Sequence, residues 1–124
     1  SEEPEMPNTL MLVFTKPLSP ELEGEYNEWY SNKHLWDLTG VPGVIAATRY
    51  SMAEAFVPPG APDGPRNYLA IYEIEGDSAE DIQRFWDALI AGIGFGGVDA
   101  SATLDFSTIS VSFAVPITPR VTRG

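Results

Sequence analysis

Apolar and polar positions along the chain follow two periods, and the switches between them mark out six elements. Residues 9–16 (TLMLVFTK) form a short apolar run of strand formers, closed by Pro17. Ser19 then stands as a helix N-cap, with Pro20 at the first helical position and Glu21 and Glu23 in the first turn. Leu22, Tyr26, Trp29, Tyr30, His34 and Leu38 follow at steps of three and four, which predicts one helix running to about Leu38. Gly40 is its C-terminal stop, and Pro42 lies beyond it. Residues 44–52 (VIAATRYSM) read as a second strand. Val44, Ala46, Thr48, Tyr50 and Met52 share one face, and Ile45, Ala47, Arg49 and Ser51 the other.

Residues 53–65 (AEAFVPPGAPDGP) hold four prolines and two glycines and predict an exposed loop. Residues 66–74 (RNYLAIYEI) form a third strand. Gly76 and Asp77 turn the chain into a second helix, where Ser78 and Asp81 have the spacing of a capping box. Ile82, Phe85, Trp86, Leu89 and Ile93 make its apolar stripe, with Glu80, Asp81, Arg84 and Asp87 outward. A glycine-rich connector over 91–100 leads to a fourth strand over 104–115, in which Ile109, Val111, Phe113 and Val115 alternate. The division is a leader over 1–8, a single domain over 9–115 and a tail over 116–124.

Strand, helix, strand, strand, helix, strand, with right-handed crossovers, predicts an α+β fold. This is the ferredoxin-like βαββαβ arrangement, a four-stranded antiparallel sheet with two helices on one face. The strands carry apolar side chains on both sides, yet only one sheet face receives helices. A symmetric homodimer, pairing the bare faces of two sheets, is the economical way to take the rest out of water.

Composition narrows the function classes. With 44% hydrophobic and 20% charged residues, the 124-residue chain belongs with globular domains rather than disordered ones. Cysteine is absent, which excludes disulfides, thiolate metal sites and cysteine nucleophiles. A net charge of −11 makes nucleic acid and anionic membrane surfaces poor partners. It also disfavours anionic substrates unless Lys33, Arg49 or Arg66 is placed to meet them. No apolar run approaches the ~18 residues of a membrane span, and no signal peptide is evident, so the expected location is cytoplasmic.

His34 is the only histidine. It lies on the stripe of Tyr26 and Tyr30, one turn before Asp37. Imidazole suits general acid/base work because its ordinary pKa lies near neutrality. A histidine near a helix end also interacts favourably with the C-terminal dipole, and this alternative stays open at this stage. Asp37 either orients the ring or is a solvated helix-end carboxylate. Aromatic side chains gather on the two helices and two strands. Tyr26, Trp29, Trp36, Tyr72 and Trp86 are candidates to line a pocket for a flat apolar ligand, against the plainer reading of core filling. Tyr30 and Tyr50 are candidates to hydrogen-bond charge developing on a substrate oxygen. One histidine without cysteine gives no metal-site spacing, and no cofactor is expected. A lone histidine is likewise no haem motif. Residues 92–97 satisfy G-x-G-x-x-G formally, but they leave a helix and precede a strand, the reverse of the dinucleotide fingerprint.

The segment 25–50 (EYNEWYSNKHLWDLTGVPGVIAATRY) resembles the dimeric α+β barrel superfamily, nearest its EthD-like small proteins. The resemblance rests on Trp29-Tyr30, Lys33-His34-Leu35, Asp37, Val41-Pro42-Gly43 and Arg49-Tyr50, with Trp36 where proline is usual. It implies that two sheets pair into a dimeric α+β barrel, and it favours a catalytic His34; Tyr30, Tyr50 and Asp37 are the further catalytic candidates from their chemistry and spacing. The superfamily includes cofactor-free oxygenases, cyclases, isomerases, lyases and haem enzymes. The expected function is a cofactor-independent acid/base enzyme of the isomerase, lyase or cyclase type, acting on a small, mostly apolar, aromatic or carbonyl-bearing metabolite. The alternatives are a cofactor-free monooxygenase of the same superfamily, or a non-catalytic ligand-binding or accessory dimer.

Overall fold

Antiparallel pairing sets which side chains share a face. In the computed structural model, which describes residues 5–52, 58–60, 68–92 and 103–124, β1 (Thr9–Thr15) lies between β3 (Tyr68–Ile74) and β4 (Ser110–Ala114). The fourth strand, β2 (Val44–Ser51), pairs with the far side of β3, giving the order β2-β3-β1-β4 with every pairing antiparallel. This α+β architecture is consistent with the ferredoxin-like arrangement.

Opposed residues of an antiparallel pair point the same way. Thr9, Met11, Val13 and Thr15 therefore share a face with Ile74, Tyr72, Ala70 and Tyr68, with Val111 and Phe113, and with Ala47 and Arg49. Both helical segments pack on this face, and the buried core sits there: Met11, Tyr26, Tyr30, Leu38, Ala70, Tyr72, Ile74 and Phe85. The reverse face presents Leu10, Leu12, Phe14, Leu69 and Ile71, all half-buried.

The first helical segment departs from the single helix that the pattern predicts. It runs through a 3-10 turn (Pro20–Leu22), α1 (Glu23–Trp29), a π turn (Tyr30–His34) and α2 (Leu35–Thr39). Ser19 holds the extended backbone of a cap, but its side chain makes no capping bond. The physical reason for the π turn is in the spacing. Leu22, Tyr26, Tyr30, His34 and Leu38 recur every four residues, and at 3.6 residues per turn each such step drifts by about 40° around the helix. Inserting one wide turn resets that drift. The Leu35 amide accordingly donates to the Tyr30 carbonyl, five residues back. Tyr26, Tyr30 and Leu38 all remain buried.

Gly43 takes φ +97° in the turn before β2, a conformation that favours glycine. At that end of β2 the register shifts between Val44 and Ala46, leaving Ile45 as an extra residue. Val44 is thereby opposite Ile74 and joins the core, contrary to the strict alternation predicted for this strand.

The start of α3 (Ala79–Gly92) follows its sequence signature. The Asp81 amide donates to Ser78 Oγ at 3.1 Å, and the Ser78 amide donates to Asp81 Oδ2 at 3.3 Å. Gly76 before it has φ +108°, and a Cβ there would meet the Asp81 side chain at 2.6 Å.

The last strand is shorter than predicted. Leu104 instead bridges Pro17, Asp105 caps a 3-10 turn (Phe106–Thr108), and pairing resumes only at Ser110. The connector over 93–102, its G-x-G-x-x-G match, Ile93 and most of the loop over 53–65 lie outside the described residues.

Candidate functional site

The register of β2 brings its one arginine under the first helical segment. Arg49 is opposite Ala70, so its side chain rises from the core face toward α1. Its guanidinium carbon lies 4.4 Å from the centre of the Tyr30 ring, 5.1 Å from Tyr68 and 5.4 Å from Tyr26. A cation against aromatic faces is stabilised by their quadrupoles, more so as water is excluded. Nη1 donates to Ser31 Oγ at 2.7 Å, and Nη2 donates to Asn27 Oδ1 at 3.1 Å. Asn27 in turn donates to the Tyr68 hydroxyl, which donates to Glu23 Oε2 at 2.9 Å. Arg49 Nε is buried and makes no hydrogen bond.

His34 closes the π turn and, like Arg49, contacts the Tyr30 ring. Its ring stacks on Trp29 at 4.6 Å with an interplanar angle of 19°, and meets Tyr30 edge-on at 5.0 Å. Nδ1 is buried with no hydrogen-bond partner. Burial lowers the imidazole pKa to about 4; the negative charge of Asp37 opposes this, while Lys33 and Arg49 add to it. The ring is therefore neutral at physiological pH, and its ionisation lies well below the near-neutral value expected from an exposed histidine.

Beneath these two groups the phenols satisfy one another. Tyr26 pairs with Thr15 Oγ1, and the Tyr30 and Tyr72 hydroxyls lie 3.4 Å apart. Burial pushes the Tyr30 pKa up to about 12 and that of Tyr72 higher, so both stay protonated. Burial also raises Tyr26, against the lowering effects of Thr15 and Arg49. Tyr26 and Tyr72 are 0% exposed, so in this conformation they present no surface to a ligand and fill the core.

The structure thus brings together His34, Tyr30, Trp29, Tyr26 and Tyr72, and separates the other candidates from them. Tyr50, expected with Tyr30 to face a substrate oxygen, is opposite Leu69 on the reverse sheet face and 51% exposed. The reason is parity: Arg49 takes the core face, so its neighbour must take the other. Trp36 is 70% exposed on α2. Trp86 packs edge-on against Phe113 under α3, lining with Ile82 and Phe106 a separate groove of about 730 Å³. The Asp37 carboxylate accepts from Lys33 Nζ at 2.8 Å, an ion pair one helical turn apart, and reaches His34 by charge alone.

In the sequence Arg49 stood out as one of three cations able to meet an anion and as part of the Arg49-Tyr50 pair; its place opposite a small alanine under three tyrosines is set by the register. Among the described residues no group of three or more His, Asp or Glu side chains is arranged to hold a metal, and no helix is long and apolar enough to cross a membrane. No protein-family model, curated protein or solved structure matches the chain.

Proposed function

We propose that this protein is a cofactor-independent acid/base enzyme of the isomerase, lyase or cyclase type. Its substrate is a small, mostly apolar, aromatic or carbonyl-bearing metabolite. The observation that carries this reading is a half-buried imidazole and a half-buried guanidinium that both contact the ring of Tyr30. His34 takes a proton from carbon next to a substrate carbonyl, and Arg49 stabilises the negative charge that moves to the oxygen. Return of the proton at another atom completes an isomerisation, and loss of a leaving group completes an elimination. An imidazole whose conjugate acid has a pKa of about 4 is a weak base. The site therefore suits a proton already acidified by its own carbonyl and by the nearby cation.

The reading includes a homodimer in which the reverse sheet faces pair as in a dimeric α+β barrel. Leu10, Leu12, Phe14, Leu69 and Ile71 form an apolar patch there with no helix of the described residues over it, which favours burial against a second copy. Light scattering is expected to give twice the 13.5 kDa chain mass, and a 13.5 kDa particle at micromolar concentration would exclude the pairing.

Thermal-shift screening with aromatic and carbonyl metabolites supplies the ligand for the catalytic test. His34→Gln keeps a hydrogen-bonding side chain of similar reach but cannot cycle a proton. It should retain ligand binding and lose turnover by about 10²–10⁴-fold. Wild-type turnover should fall as pH drops toward about 4, where the base becomes protonated. An undiminished rate in a folded His34→Gln dimer would move proton transfer to another residue.

A further inference from the structure

Arg49 is half-buried in a chain with 18 carboxylates against seven lysines and arginines, yet none of the ion pairs found among the described residues includes it. Its observed partners are neutral: a serine hydroxyl and an asparagine carbonyl, with three phenol rings around it. A guanidinium has five N–H donors in a planar fork. Two serve Ser31 and Asn27, and the Nε–H is buried without an acceptor. A donor left so is costly unless something completes it, and the planar fork of a guanidinium matches the two oxygens of a carboxylate. Ser31 is exposed, so an anion would approach at the Nη1 end of the guanidinium and reach the buried Nε–H only as the side chain shifts.

We propose that Arg49 is a substrate-anchoring residue that receives a carboxylate group, so that the ligand of this site is a small planar carboxylic acid in its anionic form. This deepens the acid/base reading and rests on it: a carboxylate held by Arg49 fixes the rest of the molecule against the Trp29–His34 stack. Asn27 and Ser31 hold the fork, and Tyr30 supplies the face on which it lies. The single turn of π winding carries both Ser31 and His34.

Benzoate and benzamide are the probes, equal in shape and differing in charge. Both are titrated into the wild-type protein while the amide NMR signals of Asn27 and Ser31 and the ring signals of His34 are followed. Benzoate is expected to shift these signals saturably, to bind about tenfold or more tightly than benzamide, and to weaken as salt is added. Arg49→Gln should abolish the preference, and Arg49→Lys should keep only part of it, because the charge remains and the fork is lost. Equal binding of the two probes, or no shift with benzoate at millimolar concentration, overturns the proposal in the wild-type protein alone. That comparison decides the matter even if the Arg49 variants fail to fold. His34→Gln should still prefer benzoate while lacking turnover. A variant that keeps turnover and the preference refutes the catalytic role of His34 but not anion recognition. Turnover that requires His34, without any preference for benzoate, refutes only anion recognition.

Discussion

Two aromatic clusters lie under the two helical segments of the same sheet face, and they differ in kind. Under α3, Phe85 and Trp86 meet Phe113 edge-on at 6.4 and 6.0 Å, among Ile82, Val111 and Leu89. Under α1 and the π turn, Tyr26, Tyr30 and Tyr68 surround Arg49, Tyr72 meets the Tyr30 hydroxyl, and His34 and Trp29 lie beside Tyr30. The first cluster is stabilised by apolar burial and ring packing, which tolerate substitution by shape. The second depends on every polar atom finding a partner, because an unmatched buried donor loses its hydration without return. It meets this demand for the phenols and fails at two atoms, His34 Nδ1 and Arg49 Nε. Those two lie where chemistry is proposed. The α3 cluster shows that the same sheet face can pack a helix through apolar side chains.

The largest stability effect is expected in the apolar cluster. Phe85→Ala removes a buried ring packed against Phe113 and beside Gly43, and should destabilise the fold by about 3–5 kcal/mol in urea or thermal unfolding. The chemical shifts of His34 should hardly move. A large change at His34 would mean that the two clusters are one cooperative unit. Tyr72→Phe is the smaller and more selective perturbation. It keeps the ring and removes one hydroxyl, leaving the buried Tyr30 hydroxyl without its partner, and should cost about 1–3 kcal/mol. A neutral result would show that the 3.4 Å Tyr30–Tyr72 contact contributes nothing and that the phenol cluster is apolar in effect.

The sequence made the two clusters unequally visible. The stripe of α3 and its Ser78–Asp81 box read directly, because a regular 3.6-residue period and a cap are local signals. The order of elements likewise follows from hydrophobic runs and turn residues, and with it the antiparallel sheet. The polar cluster was visible in composition but not in arrangement. His34, Tyr30 and Tyr26 fell on one stripe, yet the strict four-residue repeat that signals a π turn is easily read as ordinary helix. Tyr50 and Arg49 traded significance for a non-local reason. Which of two neighbours faces the core depends on pairing with β3 and on the extra residue at Ile45, and strand alternation alone does not anchor that choice. The break of the last strand at Asp105 depends on its side chain accepting from the Ser107 amide, a contact that competes with the ladder.

His34 also ties the polar cluster to pH. Its folded pKa lies below that of the unfolded chain, so between about 4 and 6.5 the unfolded state binds the additional proton. The linked stability is fully present above about pH 6.5 and is lost as pH falls through about 4. His34→Gln should remove that part of the acid sensitivity while leaving the contribution of the carboxylates.

Because His34 is the only histidine, its imidazole can be followed by NMR without assignment ambiguity. A pH titration of its ring signals in the folded protein reads the burial beside Arg49 directly. The midpoint should fall well below the ordinary histidine value, near 4, with the ring neutral through the range in which a free imidazole is half-protonated. A midpoint at or above 6.5 would show a solvated helix-end histidine, and would contradict a half-buried base packed on the same tyrosine as the Arg49 guanidinium.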